Sequence, residues 1–301
     1  ANFKPPKPPR LGKAKTYDLV AILSHPNGWQ RDTAARLLYE RRDPAAVPLL
    51  GNMLANSRVP LGRLHALHVL DGLGALSEAH ILHALRDPDE RVREHAVLLS
   101  ERLIAGGVIA DPLWNQLYLM AADPSVRVRF QLALTVGEIR RADRAQVLTG
   151  ILWRDAAVFW MRGAILSSLA EGAGDLFVNL AGDARARGDR AGQEWLRRLA
   201  TLIGVRAEPA EVAPVVAFLD QSSIDSPQAF ALLYALGDGL HRARSSLALM
   251  DPQGRLQRFY SQAINPILAL VTSEPLLVEE LRLLGVGPFI FADTGDLLLL
   301  Q

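Results

Sequence analysis

Six arginines recur along the chain at a nearly constant spacing, and this period limits the possible folds more than any other feature. The intervals between neighbouring arginines are 32, 30, 36, 33 and 35 residues. The six are Arg31, Arg63, Arg93, Arg129, Arg162 and Arg197. A period in this range is typical of solenoids built from stacked helical hairpins, because one hairpin cannot bury its apolar face alone. The period therefore predicts an all-α repeat fold.

The residues around each arginine indicate which face of its helix is buried. The positions one before and three after the arginine are mostly apolar or small, and a spacing of four residues places them on one helical face. These pairs are Gln30/Ala34, Gly62/Ala66, Val92/Ala96, Val128/Leu132, Met161/Ile165 and Leu196/Ala200. We predict that each repeat has a shorter helix A, a turn, and a longer helix B that carries the arginine. The predicted repeats are 16–42, 43–75, 76–106, 107–141, 142–173, 174–205, 206–244 and 245–285.

The predicted domain organisation is a linker, a solenoid and a partial repeat. Residues 1–15 are rich in proline and lysine and read as an extended linker. Residues 16–285 form the solenoid, in which the last helix B is expected at Glu274–Leu284. Residues 286–301 read as the start of a further, truncated repeat. The chain begins with Ala1 and ends on the apolar run DLLLLQ rather than a polar cap, so we expect it to be cut from a longer protein.

Composition excludes several kinds of chemistry. The chain has no cysteine, which rules out disulfides, thiolate metal sites and haem attachment through C-x-x-C-H within its 301 residues. It contains no phosphate-binding glycine loop, no H-E-x-x-H and no G-x-S-x-G. His65, His68 and His95 could approach one another, but no carboxylate falls at a matching position to complete a metal site. We therefore predict no catalytic residue, no metal and no cofactor.

Charge and hydropathy bear on the expected partners. Five of the 33 basic residues lie within residues 1–16, where there is no acidic residue, so the rest of the chain carries 28 basic and 32 acidic residues. Such a body is not suited to neutralising phosphates, so nucleic acid is not the expected partner. No window is apolar enough for a membrane span, and the N-terminus lacks the apolar core of a signal peptide.

Two stretches, Asp87–Ala96 and Asp123–Leu132, follow the pattern D-P-x-x-x-V-R-x-x-A, the second with Leu in place of the final Ala. This pattern resembles the HEAT repeat, which implies a right-handed α-α superhelix of about eight hairpins. The Asp-Pro pairs read as helix openings, with the aspartate at the cap and proline in the first turn. In HEAT repeats the arginine and the aspartate commonly bridge neighbouring repeats. His25, Ser57 and Ala156 stand where other repeats would need the acid, so the resemblance implies an incomplete ladder.

The periodic arginines have two interpretations. They could form a basic stripe for a ligand, or they could bond carbonyls and acids between repeats, which suits the planar guanidinium. We favour the second, because a solenoid must first satisfy its own interfaces. The predicted structural set is Arg31, Arg63, Arg93, Arg129, Arg162, Arg197, Asp87 and Asp123.

A neighbouring stripe is the better candidate for a partner surface. It lies two before, two after and five after each arginine, rotated away from the core. Helices B line the concave side of such a solenoid, and tryptophan, arginine and histidine are residue types that interfaces favour. The predicted partner-binding residues are Trp29, His65, Arg91, His95, Arg127, Gln131, Trp160 and Trp195. The alternative is that the tryptophans fill gaps between helices.

One segment has a more specific resemblance. Leu19–Leu38, LVAILSHPNGWQRDTAARLL, is similar to the first HEAT unit of planctomycete-type, haem-binding dehydrogenase-like proteins, as is the preceding linker Pro8–Ala14. Ala235–Leu247 and Leu281–Gly285 also resemble that family. Its members join a β-propeller, a HEAT region and a cytochrome c module. The resemblance covers the HEAT region and implies a non-catalytic scaffold that spaces the other modules, in an extracytoplasmic space, with protein partners.

Two other functions stay open. A nucleic-acid-binding HEAT protein of the DNA glycosylase type would use tryptophan and aspartate in a basic groove, for which Trp29, Trp160, Trp195 and Asp32 are the candidates. The acidic body argues against it. A HEAT-type lyase or cofactor chaperone, as among the phycobilin lyases, would have to bind a bilin, and no residue pattern favours that.

Overall fold

The structure, a computed structural model, describes residues 10–155, 157–220 and 226–256, without the side chains of residues 226 and 227. These ranges hold sixteen α-helices and no β-strand. The helices are α1 Thr16–Ile22, α2 Gly28–Arg41, α3 Ala46–Asn56, α4 Pro60–Gly72, α5 Glu78–Ala84, α6 Glu90–Ser100, α7 Asp111–Leu119, α8 Val126–Thr135, α9 Arg144–Asp155, α10 Phe159–Ser167, α11 Ala173–Gly182, α12 Ala184–Gly188, α13 Arg190–Arg206, α14 Pro209–Leu219, α15 Ser226–Arg242 and α16 Leu247–Met250. The prediction of an all-α, helical-repeat solenoid is confirmed.

The chain divides into two compact units, Ala1–Ser168 and Leu169–Gln301. In the first unit, helices α1 to α10 form five successive hairpins. The A helices α1, α3, α5 and α7 pack in sequence on one side, and the B helices α2, α4, α6, α8 and α10 pack in sequence on the other. A B helix therefore touches the B helix of the next repeat, which brings equivalent sequence positions side by side.

The core lies between the two layers of helices, at the positions that the periodicity indicates. Of the twelve residues one before and three after the six arginines, every one except Gln30 is buried. Leu50, Leu54 and Ile81 from the A helices complete this core in the first unit. Burial of apolar side chains at about 25 cal/mol per Å² is what holds such hairpins together, since each repeat has contacts only with its neighbours.

The openings of the B helices differ from the prediction. Helix α6 is capped by Asp89, whose Oδ1 accepts hydrogen bonds from the backbone N–H groups of Arg91 and Val92 at 2.9 and 3.3 Å. Asp87, the predicted cap, instead accepts the N–H of Asp89 at 2.8 Å. Pro88 thus lies before the helix rather than in its first turn. The carboxylate of Asp87 is not free to cap α6, because a neighbouring repeat engages it.

In the second unit, α13 and α15 cross unusually closely. A Cβ atom on Gly239 would lie 2.3 Å from a carbonyl oxygen of α13 and 2.8 Å from the Cα of Gly204. Both positions therefore require glycine, because any side chain would force the backbones apart. Glu211 of α14 also supports the start of α11, where its carboxylate accepts the backbone N–H groups of Gly172 and Gly174.

The ends of the chain relate only partly to the predicted organisation. Leu11–Lys13 form one turn of 3-10 helix, and Leu11 is buried. Arg41 donates hydrogen bonds to the carbonyls of Ala14 and Gly12 at 2.6 and 2.8 Å, so the end of the predicted linker is attached to α2. Residues 1–9, the predicted helix Glu274–Leu284 and residues 286–301 lie outside the described residues. None of the described helices combines the length and hydropathy that a membrane crossing requires.

Candidate protein-interaction surface

Three of the periodic arginines bridge neighbouring repeats through carboxylates. In each bridge, the arginine Nε and Nη2 donate to the two oxygens of an aspartate in the next repeat. The pairs are Arg63–Asp87, Arg93–Asp123 and Arg129–Asp155, with N–O distances between 2.6 and 2.9 Å. The third donor, Nη1, bonds the carbonyl six residues before each arginine, on Ser57, Asp87 and Asp123 respectively. We call these three pairs the arginine ladder.

The ladder extends one repeat further than the sequence indicated. Ala156 was expected to interrupt it, but Asp155, the last residue of α9, supplies the carboxylate for Arg129. At the other end, Ser57 cannot supply an acid to Arg31. The Nε of Arg31 instead donates to Nε2 of His65 on the adjacent B helix at 3.2 Å, and its Nη1 donates to the carbonyl of His25.

Arg162 and Arg197 make different contacts from the predicted inter-repeat bridges. The guanidinium of Arg162 lies 5.9 Å from the centre of the Phe159 ring, within its own helix. Arg197 pairs with Glu194 one turn earlier on α13, at 2.8 Å. Among the described residues, neither one bridges to an acid of another repeat, so the inter-repeat role predicted for both is not observed.

The ladder arginines are not available to a ligand. Their side chains are between 7 and 11% exposed, and their Nε, Nη1 and Nη2 atoms each donate a hydrogen bond within the protein. Hydrogen bonding to the partner aspartate raises the pKa of Arg63, Arg93 and Arg129 above the ordinary arginine value. Removing one partner would leave the other as an uncompensated buried charge, so the ladder stabilises the contact between neighbouring repeats.

The position two before each arginine is exposed on every B helix of the first unit. It holds a row of five residues, Trp29, Leu61, Arg91, Arg127 and Trp160. The two tryptophans are 60 and 72% exposed, which is high for the largest apolar side chain. The side chains of Arg91 and Arg127 form no hydrogen bond or ion pair with any described residue. We call this set the outer row.

Three of the residues that stand two after an arginine, His65, His95 and Gln131, are half-exposed and bonded to groups of neighbouring helices. The imidazoles of His68 and His95 meet edge to face across α4 and α6, with Nε2 and Nδ1 2.9 Å apart. Gln131 donates to Glu101 at 3.5 Å and to Thr135 at 3.2 Å. These groups partly satisfy one another, so the polar middle of the predicted stripe is less available to a ligand than the outer row.

Two histidines of this surface are biased toward the neutral form. The pKa of His65 lies below its ordinary value, because neighbouring atoms exclude water from the ring and because the Arg31 guanidinium is close. The pKa of His68 is also lowered, first by loss of water and then by His95. Within the described residues, no group of three or more histidines or carboxylates could hold a metal ion.

Trp195 does not belong to the surface, which corrects its place in the predicted stripe. It is only 5% exposed. The physical reason is that α13 packs against three helices of the second unit, α11, α15 and α12, the last being a short extra helix that the repeat pattern did not indicate. Helix α12 packs against the first turn of α13, where a Cβ on Gly192 would lie 2.4 Å from the Cα of Ala186. Trp195 lies one turn further along α13 and is part of the interior of the second unit.

Phe159 is a surface residue that the sequence analysis missed. It is 68% exposed at the start of α10, and its ring contacts that of Trp160 edge to face at 5.3 Å between centres. It stands three residues before Arg162, a position outside the three that defined the stripe. The signal was available in the sequence: Met161 and Ile165 mark the core face of α10, and Phe159 lies two residues before Met161, about 200° away around the helix axis.

Comparison with solved structures gives matches of low similarity. The structure is similar to the phycocyanin lyase CpcE–CpcF complex of Nostoc sp. PCC7120, with 18% identity, a TM-score of 0.38, and coverage of 86% of this chain and 98% of that one. It is also similar to a designed armadillo repeat protein in complex with the peptide (KR)4, with 14% identity, a TM-score of 0.35, and coverage of 74% and 100%. No protein-family model and no curated protein matches the chain.

Proposed function

We propose that this chain is a non-catalytic HEAT-repeat scaffold that binds protein through the B helices of its first unit. The outer row is the observation that carries this proposal. It repeats one exposed position over five successive helices, with a tryptophan at each end and two unpaired arginines between them. Tryptophan and arginine are the side chains most enriched at energetic centres of protein interfaces. The apolar core and the ladder hold the repeats together, and the outer row belongs to neither.

We further propose that the chain is the HEAT region of a larger, extracytoplasmic dehydrogenase–cytochrome-like protein, in which it spaces a propeller from a haem module. The resemblance of Leu19–Leu38 to that family supports this assignment. The segment covers parts of α1 and α2 together with the loop that joins them, and it contains Trp29 of the outer row. A module of the same parent protein, or its electron-transfer partner, would then be what the outer row binds.

The test begins with the coding sequence on both sides of the chain. The proposal expects a propeller-encoding segment upstream and a C-x-x-C-H motif downstream. Each flanking module is then expressed separately and titrated with the chain by isothermal calorimetry. Binding should weaken by about 1–4 kcal/mol on replacing Trp29 or Trp160 by alanine. The matched control is Leu119→Ala, which removes an exposed apolar side chain from the A helix α7.

Two results would contradict the proposal. A reading frame that closes at residue 301 with no haem motif would exclude a dehydrogenase–cytochrome-like parent protein. If Leu119→Ala weakens binding as much as Trp160→Ala does, the B-helix surface is not the binding site.

A further inference from the structure

Five side chains at the start of α8 and α10 form a mixed apolar and cationic surface, which we call the α8–α10 patch. It consists of Val126, Arg127, Phe159, Trp160 and Arg162. Helices α8 and α10 are direct neighbours in the B layer. Val126, Phe159 and Trp160 are 41, 68 and 72% exposed, so this is the richest cluster of exposed apolar side chains on the described B helices. Clustered exposure of this kind marks binding sites, whereas single exposed residues do not.

The patch carries positive charge that no described acid matches. Neither α8 nor α10 contains an acidic residue. On α8, the charge of Arg129 is matched by Asp155 in the ladder, which leaves Arg127 as the unmatched cation. Arg162 lies over the Phe159 ring and has no described carboxylate within ion-pair distance.

The position of Arg127 is unfavourable for the isolated fold. It is the second residue of α8, at the helix end where the backbone dipole favours an anion over a cation. A cation held at this end, exposed and without an ion-pair partner, contributes nothing to the helix. It is suited to meet a carboxylate that comes from outside the chain.

We propose that the α8–α10 patch binds an acidic segment of a protein partner in which a carboxylate stands beside an aromatic or branched aliphatic side chain. This inference rests on the proposed function and specifies its partner. Arg127 pairs with the carboxylate through its planar fork, the geometry in which arginine binds carboxylates best. The partner's apolar side chain covers the exposed rings of Phe159 and Trp160, whose contact excludes water from the ion pair.

Charge distribution favours a protein over a nucleic acid as the occupant. Residues 17–168 carry 17 basic and 16 acidic side chains, so the unit is close to neutral. The neighbouring helix α6 presents Glu90 and Glu94 beside Arg91, which would repel a continuing phosphate chain. Nucleic-acid affinity depends on neutralising several phosphates, whereas two arginines suffice for one or two carboxylates.

The experiment is a selection of random peptides of about a dozen residues on the intact chain, because an extended peptide of that length spans roughly 40 Å. Enriched peptides are synthesised with a fluorescent label, and their affinities are measured by anisotropy. The variants are Arg127→Glu and Trp160→Ala. Their matched controls are Arg154→Glu, an exposed arginine on the A helix α9, and Leu119→Ala on α7. Circular dichroism verifies that each variant is folded.

The expected result is that enriched peptides combine Asp or Glu with Phe, Trp or Leu. Arg127→Glu and Trp160→Ala should each weaken binding by roughly tenfold or more, while the two controls change it less than about twofold. Replacing the peptide's acids by amides should weaken binding to the wild type but strengthen binding to Arg127→Glu, because in that variant the peptide's acids face a carboxylate instead of a guanidinium.

Three results would overturn the inference, and they bear differently on the proposed function. If the selected peptides lack acids but their binding still depends on Trp29 or Trp160, the partner is not acidic, and the B helices still bind protein. If no peptide is enriched, or if binding is insensitive to Trp160→Ala and Trp29→Ala, both the acidic partner and the proposed protein-binding function are contradicted. Tighter binding of an oligothymidylate of similar length than of any selected peptide, lost in Arg127→Glu, would assign the patch to single-stranded nucleic acid.

Discussion

Replacing Asp155 by asparagine should destabilise the first unit by about 3 kcal/mol, near the low end of what breaking a buried ion pair costs. In the native protein, Asp155 accepts two hydrogen bonds from Arg129, both 2.6 Å long. Asparagine keeps nearly the same shape but offers one acceptor and one N–H₂ group, so one of these bonds is lost and a donor faces a donor. Arg129 then stays buried with a positive charge and no partner carboxylate.

The surroundings of Arg129 explain why we expect the low end of that range. Its third donor bonds the carbonyl of Asp123, and this bond is untouched by the substitution. The carboxylate of Asp123 also contributes favourable Coulomb energy to Arg129, although it is already paired with Arg93. For a unit of this size, a loss of 3 kcal/mol corresponds to a fall in Tm of roughly 6–12 °C.

The assay is guanidinium denaturation followed by far-UV circular dichroism, with hydrogen exchange to locate the opened helices. The matched comparison is Glu194→Gln, which removes the acid of the exposed Arg197–Glu194 pair, whose side chains are 38 and 44% exposed. That pair should contribute only about 0–1 kcal/mol. If Asp155→Asn lowers the free energy of unfolding no more than Glu194→Gln does, the ladder does not stabilise the contact between repeats, and the reasoning from its burial fails.

Gly239→Ala should destabilise the second unit by about 1–3 kcal/mol or more because its Cβ meets the α13 backbone, whereas Gly163→Ala on α10 meets nothing within 4 Å and should be neutral or stabilising, as thermal denaturation would show. His65 should titrate below the ordinary histidine pKa in an NMR titration. The free energy of unfolding should therefore fall as the pH drops from the ordinary histidine pKa toward the lowered pKa of the folded state, because only the unfolded chain binds the proton in that range, and His65→Gln should reduce this fall. A measured pKa at or above the ordinary value would contradict the contact with Arg31. Arg127→Glu should leave the free energy of unfolding unchanged or raise it by about 0.3–1 kcal/mol, since an anion suits the first turn of α8, and a clear loss of stability would show that Arg127 has a structural partner.

The periodic features of the sequence predicted the fold well because the same physical requirement recurs in each repeat. Every B helix must bury one face, and the positions one before and three after each arginine show that face without reference to distant residues. The predicted repeats accordingly each contain a helical hairpin from residue 16 to residue 242. The division into two compact units between Ser168 and Leu169 was not predicted, since the repeat pattern continues across it.

The errors arose where a single loop or an inserted turn departs from the average repeat. Asp155 lies seven residues before Arg162 rather than six, so a fixed offset pointed to Ala156 and missed the acid. Asp87 was predicted both as a helix cap and as an inter-repeat acid, and the structure shows the second role, because Arg63, 24 residues earlier, donates to both of its oxygens. Trp195 was placed on the surface because its offset from Arg197 does not show how α13 packs against α11, α12 and α15. Each case depends on a loop length or on packing between helices, which a fixed offset from the repeated arginine does not contain.

Helical phase, rather than residue type, decides what an arginine does in this protein. Arg127 and Arg129 lie two residues apart on α8, which separates them by about 200° around the helix axis. One is exposed and unpaired, and the other is buried with its donors bonded. Arg91 and Arg93 repeat the arrangement on α6. The fold therefore depends on the second arginine of each pair and leaves the first free to change. Because the inner and outer positions contact different atoms, their substitutions should affect stability and binding independently. A variant carrying both Asp155→Asn and Trp160→Ala should lose as much stability as Asp155→Asn alone and as much binding affinity as Trp160→Ala alone.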